Sequence, residues 1–223
     1  SLEMLIRRGD TLAVFTQPDK PVGRRGVLTP PPAKAAAQRY GIPVFQFDRI
    51  RGPEGVAALR AFAPELMVTA AFGQLLSREN LDIPKYGCIN VHASYLPRWR
   101  GAAPIQAAIL NGDAQSGVTI MRMDAGVDTG DILAQTSVAI EANETGGSLT
   151  DKLAKIGADC LLETLPAYLS GQLTPQPQSA EGVTYAPIIH KSDGILDFTQ
   201  PAEVLARKVR AFNPVPGAFF LLD

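Results

Sequence analysis

The chain has 223 residues, of which 46% are hydrophobic and 19% charged, and its net charge is −1. That length suits one domain, or one domain with the start of another, and the composition excludes a disordered chain. A near-neutral balance gives no global case for nucleic-acid or membrane affinity, and no apolar run reaches the roughly 18 residues that a spanning helix needs.

In chain order, Ser1–Gly9 reads as the tail of an amphipathic helix closed by glycine, so a strand and its loop are expected to precede Ser1. No secretory leader pattern is visible there. Leu12–Phe15 is a short apolar run with the look of a buried strand. Pro18–Pro32 is rich in proline and glycine and reads as an unusually long loop. It is also locally basic: Lys20, Arg24, Arg25, Lys34 and Arg39 face only Asp19 between Pro18 and Tyr40. Its few apolar residues predict a segment that gains order only on binding. Then come a helix from Pro32 to Tyr40, a strand at Pro43–Phe47, a helix at Pro53–Phe62 with proline at its start, and a strand at Leu66–Ala71.

Cys88–His92 makes a further strand, Pro104–Leu110 a helix, and Gly117–Met123 and Ile132–Ile140 two more strands. Thr145–Ser148 reads as a capping loop before a long helix, Leu149–Leu169, whose leucines recur at the 3–4 spacing of one buried face. The polar run from Gly171 to Gly182 reads as a connector. Strands alternating with helices predict an α/β fold, doubly wound around a largely parallel sheet, with ligands at the carboxyl ends of the strands. The two cysteines, Cys88 and Cys160, lie in apolar stretches far apart, which predicts buried free thiols.

Two segments carry the chemistry. Asn90 and His92 lie two apart, on one face of a strand, because strand side chains alternate with period two. Downstream, Met123–Asp131 is a glycine-punctuated loop rich in carboxylates, including Asp124, Asp128 and Asp131. An amide donor, an imidazole and a carboxylate suit acyl transfer to an amine: the amide steadies an oxyanion, and the other two handle charge and protons. The plainer alternative is a strand end whose polar pair meets solvent, followed by an ordinary Asp/Gly turn. A metal held by the three aspartates lacks a His or Cys partner and the calcium-loop spacing. Ser94–Pro97 and the following Arg98–Trp99–Arg100–Gly101 read as a rigid turn, or as a pocket wall whose arginines face a large anionic partner. Gly23–Gly26 fits neither a Walker-type nor a dinucleotide turn.

Ile89–Asn90–Val91–His92, Ser94–Tyr95–Leu96–Pro97 and Asp124–Ala125–Gly126–Val127–Asp128–Thr129–Gly130 resemble the signature of the 10-formyltetrahydrofolate-dependent formyltransferases. Tyr95 stands where leucine is usual. The resemblance implies a Rossmann-like core whose first strand lies outside this chain, with Asn90, His92 and Asp128 as the catalytic residues. It implies 10-formyltetrahydrofolate as the formyl donor and no metal. The donor is expected along Phe72, Gly73, Gln74, Leu75 and Leu76, the turn Ser94, Tyr95, Leu96 and Pro97, and Asp124. Phe15–Arg24 with its proline-rich continuation, Pro97–Gln106 and Arg210–Pro214 are similar to the branch whose acceptor is methionyl-initiator tRNA. That likeness implies RNA contacts from Lys20, Arg24 and Arg25, and a monomeric, cytoplasmic protein that does not engage membranes. It also implies a catalytic domain over residues 1–185, then a linker and the start of a C-terminal β-barrel domain over 186–223. A sister formyltransferase acting on a small amine, and a non-catalytic RNA-binding module, stay open as alternatives.

Overall fold

The computed structural model describes residues 1–9, 11–23 and 25–221, so Arg24 lies outside the described residues. The chain divides into two compact units. One comprises residues 1–90 with 122–125, the other residues 91–121 with 126–223.

In the first unit, helix α1 (Leu2–Arg8) ends at Gly9, whose φ of 88° is the left-handed stop expected from the sequence. Strand β1 (Val14–Thr16) follows. The proline-rich segment is not an irregular loop. It forms an antiparallel hairpin of β2 (Lys20–Val22) and β3 (Val27–Thr29), with Val22 paired to Val27. Gly23 and Gly26 supply positive φ on either side of the reversal, which Cβ-bearing residues rarely adopt. The hairpin packs no apolar face of its own, for Val22, Val27 and Leu28 are all exposed. Its base is tied down instead: Lys34 Nζ donates to both Asp19 oxygens at 2.9 and 2.8 Å and to Gln46 at 2.9 Å.

Helix α2 (Pro32–Arg39), strand β4 (Val44–Gln46), helix α3 (Pro53–Phe62), strand β5 (Met67–Ala70) and the short helix α4 (Arg78–Leu81) complete this unit, with the first residues of strand β6 (Cys88–His92). β1 and β4 pair in parallel, and their Phe15 and Phe45 stack at 5.2 Å while Phe62 of α3 meets both rings edge-on.

The second unit holds the end of β6, strand β7 (Arg100–Gly101), helix α5 (Pro104–Asn111) and most of β8 (Gln115–Arg122). Strand β9 (Ile132–Ala139), helix α6 (Gly146–Leu169), strand β10 (Tyr185–Ala186) and helix α7 (Ala202–Ala211) follow. The order within the four-stranded sheet is β5, β6, β8, β9. β8 and β9 are antiparallel, so the α/β expectation holds with a mixed sheet. The sequence suggests a capping loop ahead of Leu149; α6 instead begins at Gly146, with Thr145 as N-cap and a capping box formed by Thr145 and Ser148. Leu149, Leu153, Cys160, Leu161 and Leu165 make its buried face. Gly157 lets α6 approach β6 and β8 closely, since a Cβ there would lie 2.9 Å from Val91 Cγ1 and 3.3 Å from Val118 Cγ1.

The connector after α6 is part of this unit's framework. Gln176 exchanges main-chain hydrogen bonds with Ile132 at 2.7 and 2.8 Å, and β10 pairs in parallel with β7. Beyond residue 186, where the sequence suggests a linker, α7 packs against α5. Cys88 and Cys160 are both buried and free. Burial pushes the Cys88 thiol up to about 12. No helix among the described residues is long and apolar enough to cross a membrane.

Candidate active site

β6 delivers Asn90 and His92 on one face, and each is fixed within its own unit. In the first unit the Thr69 hydroxyl of β5 donates to Asn90 Oδ1 at 2.8 Å. With its oxygen satisfied, the Asn90 amide has its NH2 left to give, which is the polarity an oxyanion requires. Sequence reasoning passed over Thr69.

In the second unit His92 is 5% exposed and its Nε2 lies 2.9 Å from the Trp99 carbonyl oxygen. A carbonyl has no proton to give, so Nε2 carries the hydrogen and Nδ1 is the nitrogen free to take or release one. Asp128 Oδ2 stands 3.7 Å from Nδ1. The same oxygen accepts from the Gly101 main-chain N–H at 2.8 Å. Asp128 has φ of 51°, a left-handed conformation unusual for a residue with a Cβ.

The turn after β6 is built to hold the Trp99 carbonyl. Trp99 is itself left-handed, with φ of 61°. Its N–H donates to Thr184 Oγ1 at 2.8 Å, and its indole Nε1 donates to Asp113 Oδ2 at 2.7 Å. Arg98 binds Asp113 in bidentate fashion at 2.8 and 2.6 Å and lies over the indole, 4.5 Å from its centroid. Burial acts to raise the Asp113 carboxyl, but hydrogen bonds from Arg98, Trp99 and Asn111 outweigh it and hold the group below its ordinary range. Arg100 is committed too, donating to Gln178 Oε1 at 3.1 and 2.7 Å. These arginines therefore serve the scaffold rather than stand open as an anion-facing wall.

Ser94 and Leu96 are each 1% exposed. Ser94 Oγ donates to the Arg98 carbonyl at 2.6 Å, and the Leu96 N–H donates to Thr119 Oγ1 at 3.1 Å. Of this turn, Tyr95, 47% exposed, and half-buried Pro97 are the side chains left to meet a ligand. In the first unit, Gln17 donates to the Phe72 carbonyl at 2.8 Å, and Gln74 donates to the Phe47 carbonyl at 2.8 Å while accepting from Ile50 N at 2.7 Å. Phe72, Gly73, Gln74, Leu75 and Leu76 are thus pinned at two points, with Leu75 exposed and Asp124 exposed separately. Lys20 and Arg25 are exposed on the hairpin. No group of three or more His, Cys, Asp or Glu side chains that could hold a metal occurs among the described residues.

Residues 4–165 match the family model for formyl transferase, and residues 188–223 match that for the formyl transferase C-terminal domain. The chain is 56% identical over 218 residues to the methionyl-tRNA formyltransferase of Halorhodospira halophila, covering 97% of this chain and 70% of that protein. Its fold is similar to a sugar N-formyltransferase from Shewanella sp., with a TM-score of 0.76 at 20% identity over 98% of this chain and 85% of that one. It is also similar to a sugar 3N-formyl transferase solved in the presence of dTDP and 5-N-formyl-THF, with a TM-score of 0.71 at 21% identity over 95% of this chain and 74% of that one. At such identities the two structures speak to fold alone. The chain belongs to the formyl transferase family, among the methionyl-tRNA formyltransferases.

Proposed function

We propose that this protein transfers the formyl group of 10-formyltetrahydrofolate to the α-amine of methionyl-initiator tRNA. The observation that carries the residue roles is the approach of Asp128 to His92 Nδ1 while Trp99 holds Nε2. An α-amine has a pKa of about 8, so part of it is neutral and nucleophilic near pH 7. The task of the site is to orient two substrates and steady the charge formed between them.

The amine nitrogen attacks the formyl carbon, and the carbonyl electron pair moves onto oxygen. Asn90 donates to that oxygen, and His92 stabilises the same charge once Nδ1 holds the proton released by the amine. The proton shed by the amine goes to the Asp128–His92 pair. The carbonyl re-forms as N10 of the folate departs and takes up a proton, leaving formylmethionyl-tRNA and tetrahydrofolate. The donor is assigned to Phe72, Gly73, Gln74, Leu75, Leu76 and Asp124 in the first unit, and to Tyr95 and Pro97 in the turn Ser94–Pro97 of the second.

Lys20, Arg24 and Arg25 of the hairpin segment contact phosphates of the RNA. The protein acts as a monomer in the cytoplasm. Residues 1–185 are the catalytic portion, and the segment from 186 opens a second domain, a reading supported by the C-terminal family match over 188–223. The test is to mix purified protein with 10-formyltetrahydrofolate and charged initiator tRNA. Formylmethionyl-tRNA is the expected product. Turnover on a small amino sugar nucleotide instead, with none on the charged tRNA, overturns the reading.

A further inference from the structure

The connector between α6 and β10 carries a side chain whose whole hydrogen-bonding capacity is spent beneath the candidate carboxylate. Gln178 Nε2 donates to the Asp128 carbonyl at 2.8 Å and to the Gly130 carbonyl at 2.8 Å. Its Oε1 accepts from Arg100 Nε at 3.1 Å and Nη2 at 2.7 Å. The residue after Arg100 is Gly101, whose N–H holds Asp128 Oδ2 at 2.8 Å. Asp128 is therefore gripped twice from one source. Its carboxylate is held by the main chain of β7, and its backbone is held by an amide that the same strand's arginine orients.

The grip has a physical purpose. Asp128 sits in a left-handed conformation that a residue with a Cβ keeps only when its surroundings hold it there. Gln178 bonds the carbonyls on either side of Thr129 and so imposes it. β7 is in turn fixed by its parallel pairing with β10, where Arg100 N donates to the Thr184 carbonyl at 2.9 Å and Ala102 N to the Ala186 carbonyl at 2.8 Å. The approach is close, for a Cβ on Gly101 would lie 2.6 Å from the Ala186 oxygen.

We infer that Gln178, oriented by Arg100, is a positioning residue for formyl transfer that holds Asp128 at its working distance from His92, an assignment that rests on the catalytic role proposed for Asp128. It touches no substrate. A carboxylate displaced by an ångström loses much of its effect, on the order of a hundredfold. Release of the loop should therefore act on kcat and spare both KM values.

The experiment is a double-mutant cycle on the full-length protein, with kcat and both KM values measured for the parent, Gln178→Ala, Asp128→Asn and the pair, and thermal unfolding recorded for each. Gln178→Ala is expected to lower kcat by about tenfold to a hundredfold with KM changed less than about twofold. In the Asp128→Asn background the same change should cost almost nothing further. Gln178→Glu keeps the shape and the acceptor for Arg100 but turns an anionic oxygen toward two carbonyls, so its loss should match or exceed that of alanine. Multiplying losses in the pair would overturn the inference, because the two residues would then act independently. Losses that track the fall in thermal stability across the variants would also overturn it, because the role would be structural. If Asp128→Asn alone keeps parental turnover, the catalytic role of Asp128 fails, an outcome distinct from failure of the grip.

Discussion

His92 Nε2 donates a hydrogen bond to the Trp99 carbonyl at 2.9 Å, and that single bond turns Nδ1 toward Asp128 at 3.7 Å. The ring's tautomer and its direction are thus chosen by a main-chain oxygen seven residues downstream. Nitrogen NMR of the labelled protein should find the neutral His92 protonated on Nε2. A neutral ring carrying its hydrogen on Nδ1 would contradict this account of the pair.

Substitution of the proposed catalytic residues should act on chemistry. His92→Ala, Asp128→Ala and Asn90→Ala are each expected to lower kcat by at least about a hundredfold, the usual scale for lost acid–base and oxyanion contributions. Donor affinity should change little for His92→Ala and Asp128→Ala. Any variant that keeps near-parental turnover removes its residue from the mechanism.

Asp113 seats Trp99 and Arg98 beneath the His92 acceptor. Its carboxyl is depressed in the folded state, so its contribution is present above the unfolded value of about 4 and is lost as pH falls through the lower folded value. Thermal unfolding of parent and Asp113→Ala across a pH series should show a gap at neutral pH that narrows in acid. A gap independent of pH would mean that the charge contributes nothing. Turnover should also drop, since the Trp99 carbonyl loses a support.

Gly157→Ala separates packing from helix propensity. In an exposed helix the change gains about 1 kcal/mol. Here the new Cβ meets the stiff branched side chain of Val91, which lies between Asn90 and His92 on β6. We expect net destabilisation of about 1–3 kcal/mol, read by chemical denaturation, together with reduced kcat. A more stable variant would show that the interface yields.

The hairpin should govern the RNA substrate alone. Arg24→Ala and Arg25→Ala are expected to reduce kcat/KM for charged tRNA and to flatten its salt dependence, with donor binding intact. Arg24 is included for its charge in the sequence. The hairpin base is tied to α2 and β4 through Asp19, Lys34 and Gln46. Unchanged tRNA kinetics in both variants would reduce the hairpin to a solvated surface feature.

Much of this protein was legible in residue order. Cys88–His92 and Pro53–Phe62 form the strand and helix that their patterns predict, and the long helix ending at Leu169 is present, though it starts three residues earlier, at Gly146. Period-two alternation was enough to put Asn90 and His92 on one face, because side-chain direction in a strand is fixed locally. The hairpin was hidden because its prolines and glycines carry turn signals while its pairing depends on register across the reversal. What local order could not decide was which groups hold the site. Thr69 reaches Asn90 across 21 positions, and Gln178 reaches Asp128 across 50. Periodicity tells which face a side chain occupies, whereas a hydrogen-bond partner is chosen only when distant segments close on one another and each buried polar group must find a match. The tertiary structure alone therefore turned a stretch that reads as a connector into the support beneath Asp128.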